Sequence, residues 1–272
     1  MVLPTSPPAS MSVSQILTEF GIPAATIKRI SNDLFPLVGG TAGLTCLLGA
    51  SFSGKSAVKV GYSTTGDTGE SITVDSAGNI YITGTYNSTT TVPINTFGAN
   101  PTASPYILPV TTGLDVFVIK WNAGGTVAGY STIKGTGVDR GNSIAVDSSQ
   151  NIYVTGLYIS TTTVPINTFG TAPTASGFNL PVSTGQGQDI FVIKWNGSNG
   201  TVAGYATIRG TGADTGQSIA VDSSQNIYIV GQYTSSAAVP INTFGTAPVA
   251  SGVSLPITAG TAADAFVIKW IP

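Results

Sequence analysis

Residues 71–84 read SITVDSAGNIYITG, and the same phrase returns as SIAVDSSQNIYVTG at 143–156 and SIAVDSSQNIYIVG at 218–231. The offsets are 72 and then 75 residues, so the chain from about residue 58 onward is one supersecondary unit written three times. Within the phrase, SITV or SIAV alternates apolar and polar positions, and NIYITG and its equivalents do the same with β-branched and aromatic residues. Both are strand patterns. Between them stand Asp75-Ser-Ala-Gly-Asn79, Asp147-Ser-Ser-Gln-Asn151 and Asp222-Ser-Ser-Gln-Asn226. Asp and Asn bond nearby backbone and tolerate left-handed conformations, so each phrase predicts a β-hairpin.

Two more strands complete the unit. FVIKW recurs at 117–121, 191–195 and 266–270, and GYST or GYAT at 61–64, 129–132 and 204–207. A short connection joins FVIKW to the next GYST, so a four-strand blade runs from SIAV to the GYST that follows it. In that frame the third blade lacks its last strand, and residues 61–64 are the candidate to supply it by strand exchange, which protects open edges. A long connection such as STTTVPINTFGTAPTASGFNLPVSTGQGQ separates NIYITG and its equivalents from FVIKW and carries VPINTFG at 92–98, 164–170 and 239–245. Phe97, Phe169 and Phe244 in that phrase read as anchors into a satellite core, or alternatively as exposed stacking rings.

The repeated wording (aspartate turn, Asn-Ile-Tyr, then Asp-x-Phe-Val-x-Lys-Trp) resembles the bacterial β-propeller repeats called SBBP. That resemblance covers about 210 residues. It implies four-stranded blades and lends no catalytic residues. The expected fold is all-β, three four-stranded repeats at about 58–128, 129–203 and 204–272. They form a β-propeller-like body, or a β-prism-like one with three sheets closed about a pseudo-threefold axis. Three units are fewer than the 4–8 blades usual in propellers, so a homo-oligomer, dimer or trimer, is expected.

Residues 1–57 differ in character. A proline-rich arm precedes SVSQILTEFG, where Ser12 and Gln15 form a capping box and Gly21 a stop, predicting a short helix over about 13–20. SVSQILTEFG with the later SFSGKS is similar to N-terminal modules of tailed-phage and related virus structural proteins. That likeness implies a small helical anchor fastening the chain to other virion proteins. Gly49-Ala-Ser-Phe-Ser-Gly-Lys55-Ser56 matches the phosphate-loop spelling, but the residues after it read as strand and turn rather than the helix whose N-terminus would hold phosphate. It reads as a linker.

Composition removes several function classes. Histidine is absent and Cys46 is the lone cysteine, so Ser-His-Asp and Cys-His catalysis, a disulfide framework and the usual zinc ligand set are excluded. Charged residues make up 8% of the chain and the net charge is −2, which gives no basic footprint for nucleic acid. No apolar run is long enough to span a membrane, and the first residues lack a secretory pattern. The recurring acids read as turn caps, because each has equivalents in the other repeats. Asp75, Asp147 and Asp222 are the calcium candidates among them, carboxylate being a suitable hard ligand. Trp121, Trp195 and Trp270, each following a lysine, read as inter-sheet packing or as sugar-stacking rings. The expectation is therefore a non-enzymatic protein without cofactors, located in a virion as capsid decoration, fibre or tail component, with host glycan a candidate ligand. A bacterial cell-surface or extracellular adhesion module is the alternative.

Overall fold

In a computed structural model of the chain, described here over residues 68–98, 101–183, 187–258 and 262–271, every regular element is a β-strand. The arm, the helix expected at 13–20, the Gly-Lys-Ser stretch and strand 61–64 lie outside these residues. Blade 1 is a meander of β1 (Thr68–Val74), β2 (Ile80–Tyr86), β5 (Asp115–Trp121) and β6 (Val127–Ile133), paired antiparallel in that order. Blade 2 repeats it with β7 (Asp139–Val146), β8 (Ile152–Tyr158), β11 (Asp189–Trp195) and β12 (Val202–Ile208). Blade 3 has β13 (Thr215–Val221), β14 (Ile227–Tyr233) and β17 (Asp264–Trp270). Each blade therefore begins at the SITV phrase, and FVIKW is its third strand.

The long connections are not plain loops. Each folds as a hairpin: β3 (Val92–Asn95) with β4 (Ala103–Leu108), β9 (Val164–Asn167) with β10 (Ala175–Leu180), and β15 (Val239–Asn242) with β16 (Ala250–Leu255). Proline at the second position of VPIN masked this, although proline is tolerated where its missing N–H is not needed. The hairpins inserted in blades 2 and 3 extend the outer edge of the preceding blade, through Ile166 opposite Ile133 and Ile241 opposite Ile208. Phe97, Phe169 and Phe244 are anchors packed against the cores, as one of the two readings held.

Blades stack in sequence order, each first strand lying on the face of the blade before it. Gly141 makes this close approach possible: a Cβ there would strike the Thr83 side chain and Val116 of blade 1, and Gly216 meets Thr155 and Ile190 in the same way. Ile144 and Ile219 fill the gap, 5% and 6% exposed, against Val118 and Val192 at 0%. The equivalent positions at the two ends of the stack are open, with Ile72 63% and Val267 74% exposed. The described residues therefore do not close as a three-sheet prism; they form β-propeller-like blades stacked in series.

Each inserted hairpin is also tied to its own blade. Phe169 N–H donates to Gly200 O at 2.7 Å, with Gly200 left-handed at φ +70°. A Cβ at Gly200 would fall on the Phe169 carbonyl oxygen. Gly200→Ala is expected to cost about 2–3 kcal/mol in urea unfolding. Gly177→Ala, at φ +88° with open space around it, should cost only about 1 kcal/mol.

Candidate functional site

The aspartate turn is the most repeated polar assembly in the molecule. Asp75 Oδ1 accepts from Ala77 N–H and Asn79 N–H, both at 2.9 Å, and its Oδ2 accepts from Asn79 Nδ2 at 2.7 Å and Tyr81 OH at 2.9 Å. Asp147 repeats this with Ser149, Asn151 and Tyr153, and Asp222 with Ser224, Asn226 and Tyr228. Two hairpin positions become left-handed so the turn can close, Gln150 at φ 62° and Gln225 at φ 64°, with Gly78 at φ 81° in the first repeat. Against a desolvation that raises it, the bonds from Asn79 and Tyr81 hold the Asp75 carboxyl below its ordinary range. At Asp222 the Asn226 side chain is the largest cause of a similar lowering.

An ionised carboxylate offers about four acceptor sites, and each turn takes all four. At the calcium candidates Asp75, Asp147 and Asp222 the carboxylate oxygens are therefore engaged by the turns themselves. Among the described residues no three His, Cys, Asp or Glu side chains are grouped so as to hold a metal ion.

The tyrosine of each turn also carries a lysine. Lys120 Nζ lies 5.0 Å from the Tyr81 ring centre and donates to Gln150 Oε1 of the next blade at 3.0 Å; Lys194 does the same with Tyr153 and Gln225. Burial lowers the pKa of both lysines. The repeated Lys, Tyr and Gln thus form a blade-to-blade strap.

A second set of acids sits where blades meet. Asp115 of blade 1 and Asp139 of blade 2 are 1% and 0% exposed. Asp139 Oδ2 accepts from Gly135 N–H at 2.5 Å, whereas among the described residues the oxygens of Asp115 lie near the Gly135 N–H without a well-formed hydrogen bond. Burial pushes the Asp115 carboxyl up to about 7, with Lys134 pulling it partway back. Burial likewise takes Asp139 to about 7, with the charge of Asp115 adding to the rise. Asp214, at the junction of blades 2 and 3 and bonded to Gly210 N–H at 2.6 Å, is raised by burial to about 6. Raised carboxyls often mark general acids, but these three are enclosed where neighbouring blades meet.

The tryptophans are structural as well. Trp121, Trp195 and Trp270 are 3%, 0% and 7% exposed. Each indole N–H donates to a carbonyl of its own blade's inserted hairpin: Asn95 and Asn167 at 2.8 Å, and Asn242 at 2.9 Å. The sugar-stacking reading is corrected by this burial, since an enclosed ring presents no face to a ligand. The sequence did not reveal the hydroxyl bridge from Ser71 Oγ to Ile144 N–H or from Ser143 Oγ to Ile219 N–H. Recurrence of SI at the start of each phrase was the only signal for it.

This blade architecture is matched by comparison with known families. A model described as a β-propeller repeat, SBBP, matches residues 60–89, 129–157 and 203–234, one match per repeat. Three stretches of the chain, one in each repeat, are thus similar to β-propeller repeats. It is also similar, at 28% identity over 171 residues, to an uncharacterized WD repeat-containing protein of Acanthamoeba polyphaga mimivirus. The aligned stretch is 63% of this chain and 12% of that relative, so the chain spans about an eighth of its length.

Proposed function

We propose that the chain is a non-enzymatic structural protein of a virus particle, in which residues 1–57 fasten it to other virion proteins and the propeller-like repeats project as an oligomeric body. The similarity to a protein of a virus is the observation that carries this reading. It is supported by the use of the repeated acids, lysines and tryptophans in turns, straps and cores. Decoration of the capsid, a fibre or a tail-associated position all suit such a body. Contact with host glycans is assigned to the exposed Ser, Thr and Asn groups of the hairpins and turns, because the indoles are enclosed. The bacterial adhesion alternative is favoured only by the bacterial character of the repeat family.

Gradient-purified particles from the producing virus, digested and quantified by mass spectrometry, are expected to contain the chain at a fixed copy number. A chain lacking residues 1–57 should fold and be lost from the particles. Absence of the full chain from particles, with the protein present in the host envelope or medium, would overturn the virion reading in favour of the adhesion module.

A further inference from the structure

The two ends of the blade stack are complementary to each other. The interface that closes blade 1 on blade 2, and blade 2 on blade 3, is built from the same positions each time: a glycine and an isoleucine on the arriving first strand, and a valine with a Thr or its neighbour on the receiving face. Among the described residues, blade 1 presents the arriving half uncovered. Gly69 has only Ile82 of its own sheet near a Cβ position, and Ile72 and Val74 are 63% and 56% exposed. Blade 3 presents the receiving half, with Val267 74% and Val230 39% exposed.

We propose that the open face of blade 3 docks the open face of blade 1 of a second copy of this chain, so that two chains close head to tail into a ring of six blades. The occupant is a second copy because the contact already exists twice within one chain. Val230 replaces the Thr83 and Thr155 of the internal faces, and Ala265 replaces Val116 and Ile190. Val230 keeps the branched shape of the threonine without its hydroxyl, and Ala265 is smaller than Val116 or Ile190, so the face that would receive Gly69 is no tighter than the two internal ones. The polar contacts carry over too. Asn142 Nδ2 donates to Gly216 O across the internal interface at 2.8 Å, and Gln217 stands in the place of Asn142 to reach Gly69 O. Ser218 stands in the place of Ser71 and Ser143, ready for the Ile72 N–H. One contact does not carry over: Lys269 would face Gly78 where Lys120 and Lys194 meet glutamine. Among the described residues the hairpin β3–β4 forms a two-stranded sheet of its own, whereas its equivalents each join the blade before them.

A contact between two different faces makes a ring if the rotation closes. Two chains give six blades, within the 4–8 of known propellers, and three would give nine. This deepens the oligomeric part of the reading above, naming its faces and copy number, and does not depend on the virion assignment.

The test is native mass spectrometry of the full 272-residue chain at about 10 μM, alone and as two variants. The unmodified chain is expected at twice its 27.5 kDa mass. Val267→Arg and Ile72→Arg alter side chains already exposed in the single chain, so both should keep the circular dichroism of the parent and a cooperative melt, and both should run as monomers. A monomeric or trimeric parent overturns the proposal. A dimer that survives Ile72→Arg also overturns it, because association through blade 3 alone would not use blade 1. Either failure leaves the virion reading to the particle assay, where presence of the chain is scored irrespective of its copy number per ring.

Discussion

Trp195→Ala is expected to remove about 3–5 kcal/mol of stability, the largest loss of any single substitution in the repeats. The indole is fully buried in the middle blade, which is covered on both faces, so neighbouring side chains have little freedom to collapse into the space. The change also orphans the Asn167 carbonyl and with it the link between blade 2 and its hairpin. Urea unfolding followed by circular dichroism measures the loss. Trp195→Phe, which keeps an aromatic ring but not the donor, should cost roughly half as much. Trp270→Ala should cost less than Trp195→Ala, because one face of blade 3 is open and can relax. Equal losses at the two sites would mean that the blades are not packed in series.

The second large effect is in pH. Asp115, Asp139 and Asp214 bind their protons more tightly in the folded chain than in the unfolded one, the first two up to about 7 and the third to about 6. The folded state therefore holds extra protons between pH 4 and 7, and its stability is highest at the acid end of that window and falls as pH rises through it. Asp75 and Asp222 act oppositely, with carboxyls lowered in the folded chain, so their contribution is lost only below pH 4. Stability, and with it the melting temperature, should therefore peak near pH 4–5 and decline toward pH 8, by on the order of 4 kcal/mol for one acid of the Asp115–Asp139 pair. Asp139→Asn keeps an acceptor for Gly135 N–H and removes the charge. It should raise the melting temperature at pH 8 and flatten the profile. A profile unchanged by this substitution would show that the pair carries no buried charge.

Much of the fold was legible because each strand alternates cleanly and each turn repeats. The aspartate hairpin and the blade frame, SITV to GYST, follow from that alternation and from the short link after FVIKW. The inserted hairpin was hidden by Pro93, Pro165 and Pro240, which look like strand breakers because proline has no N–H to give to a ladder. The choice between prism and propeller was not legible, because it rests on how Gly141 and Gly216 let one sheet lie against another. Nothing in local spacing distinguishes those glycines from the many in turns. The roles of the acids divided along the same line. Asp75, Asp147 and Asp222 act within four to six residues of themselves, and sequence shows that. Asp115 and Asp139 meet across a blade junction, and only the stack brings them together. Lys120 with Gln150 is a further case, since the partners lie 30 residues apart on different blades.

Serial stacking of the blades underlies every one of these effects, and a disulfide across the first junction tests it directly. A Cβ at residue 141 would lie 3.4 Å from the Cβ of Thr83, close to the separation found in disulfides. In a chain carrying Cys46→Ser, Thr83→Cys, Gly141→Cys and, to make room for the new Cβ beside Val116, Val116→Ala, mild oxidation of the native protein should form the bond and leave no thiol to alkylate. Two thiols that remain free and alkylable in the oxidised, folded protein would show that blade 2 does not lie on blade 1 as described, and the account of the fold would fail with it.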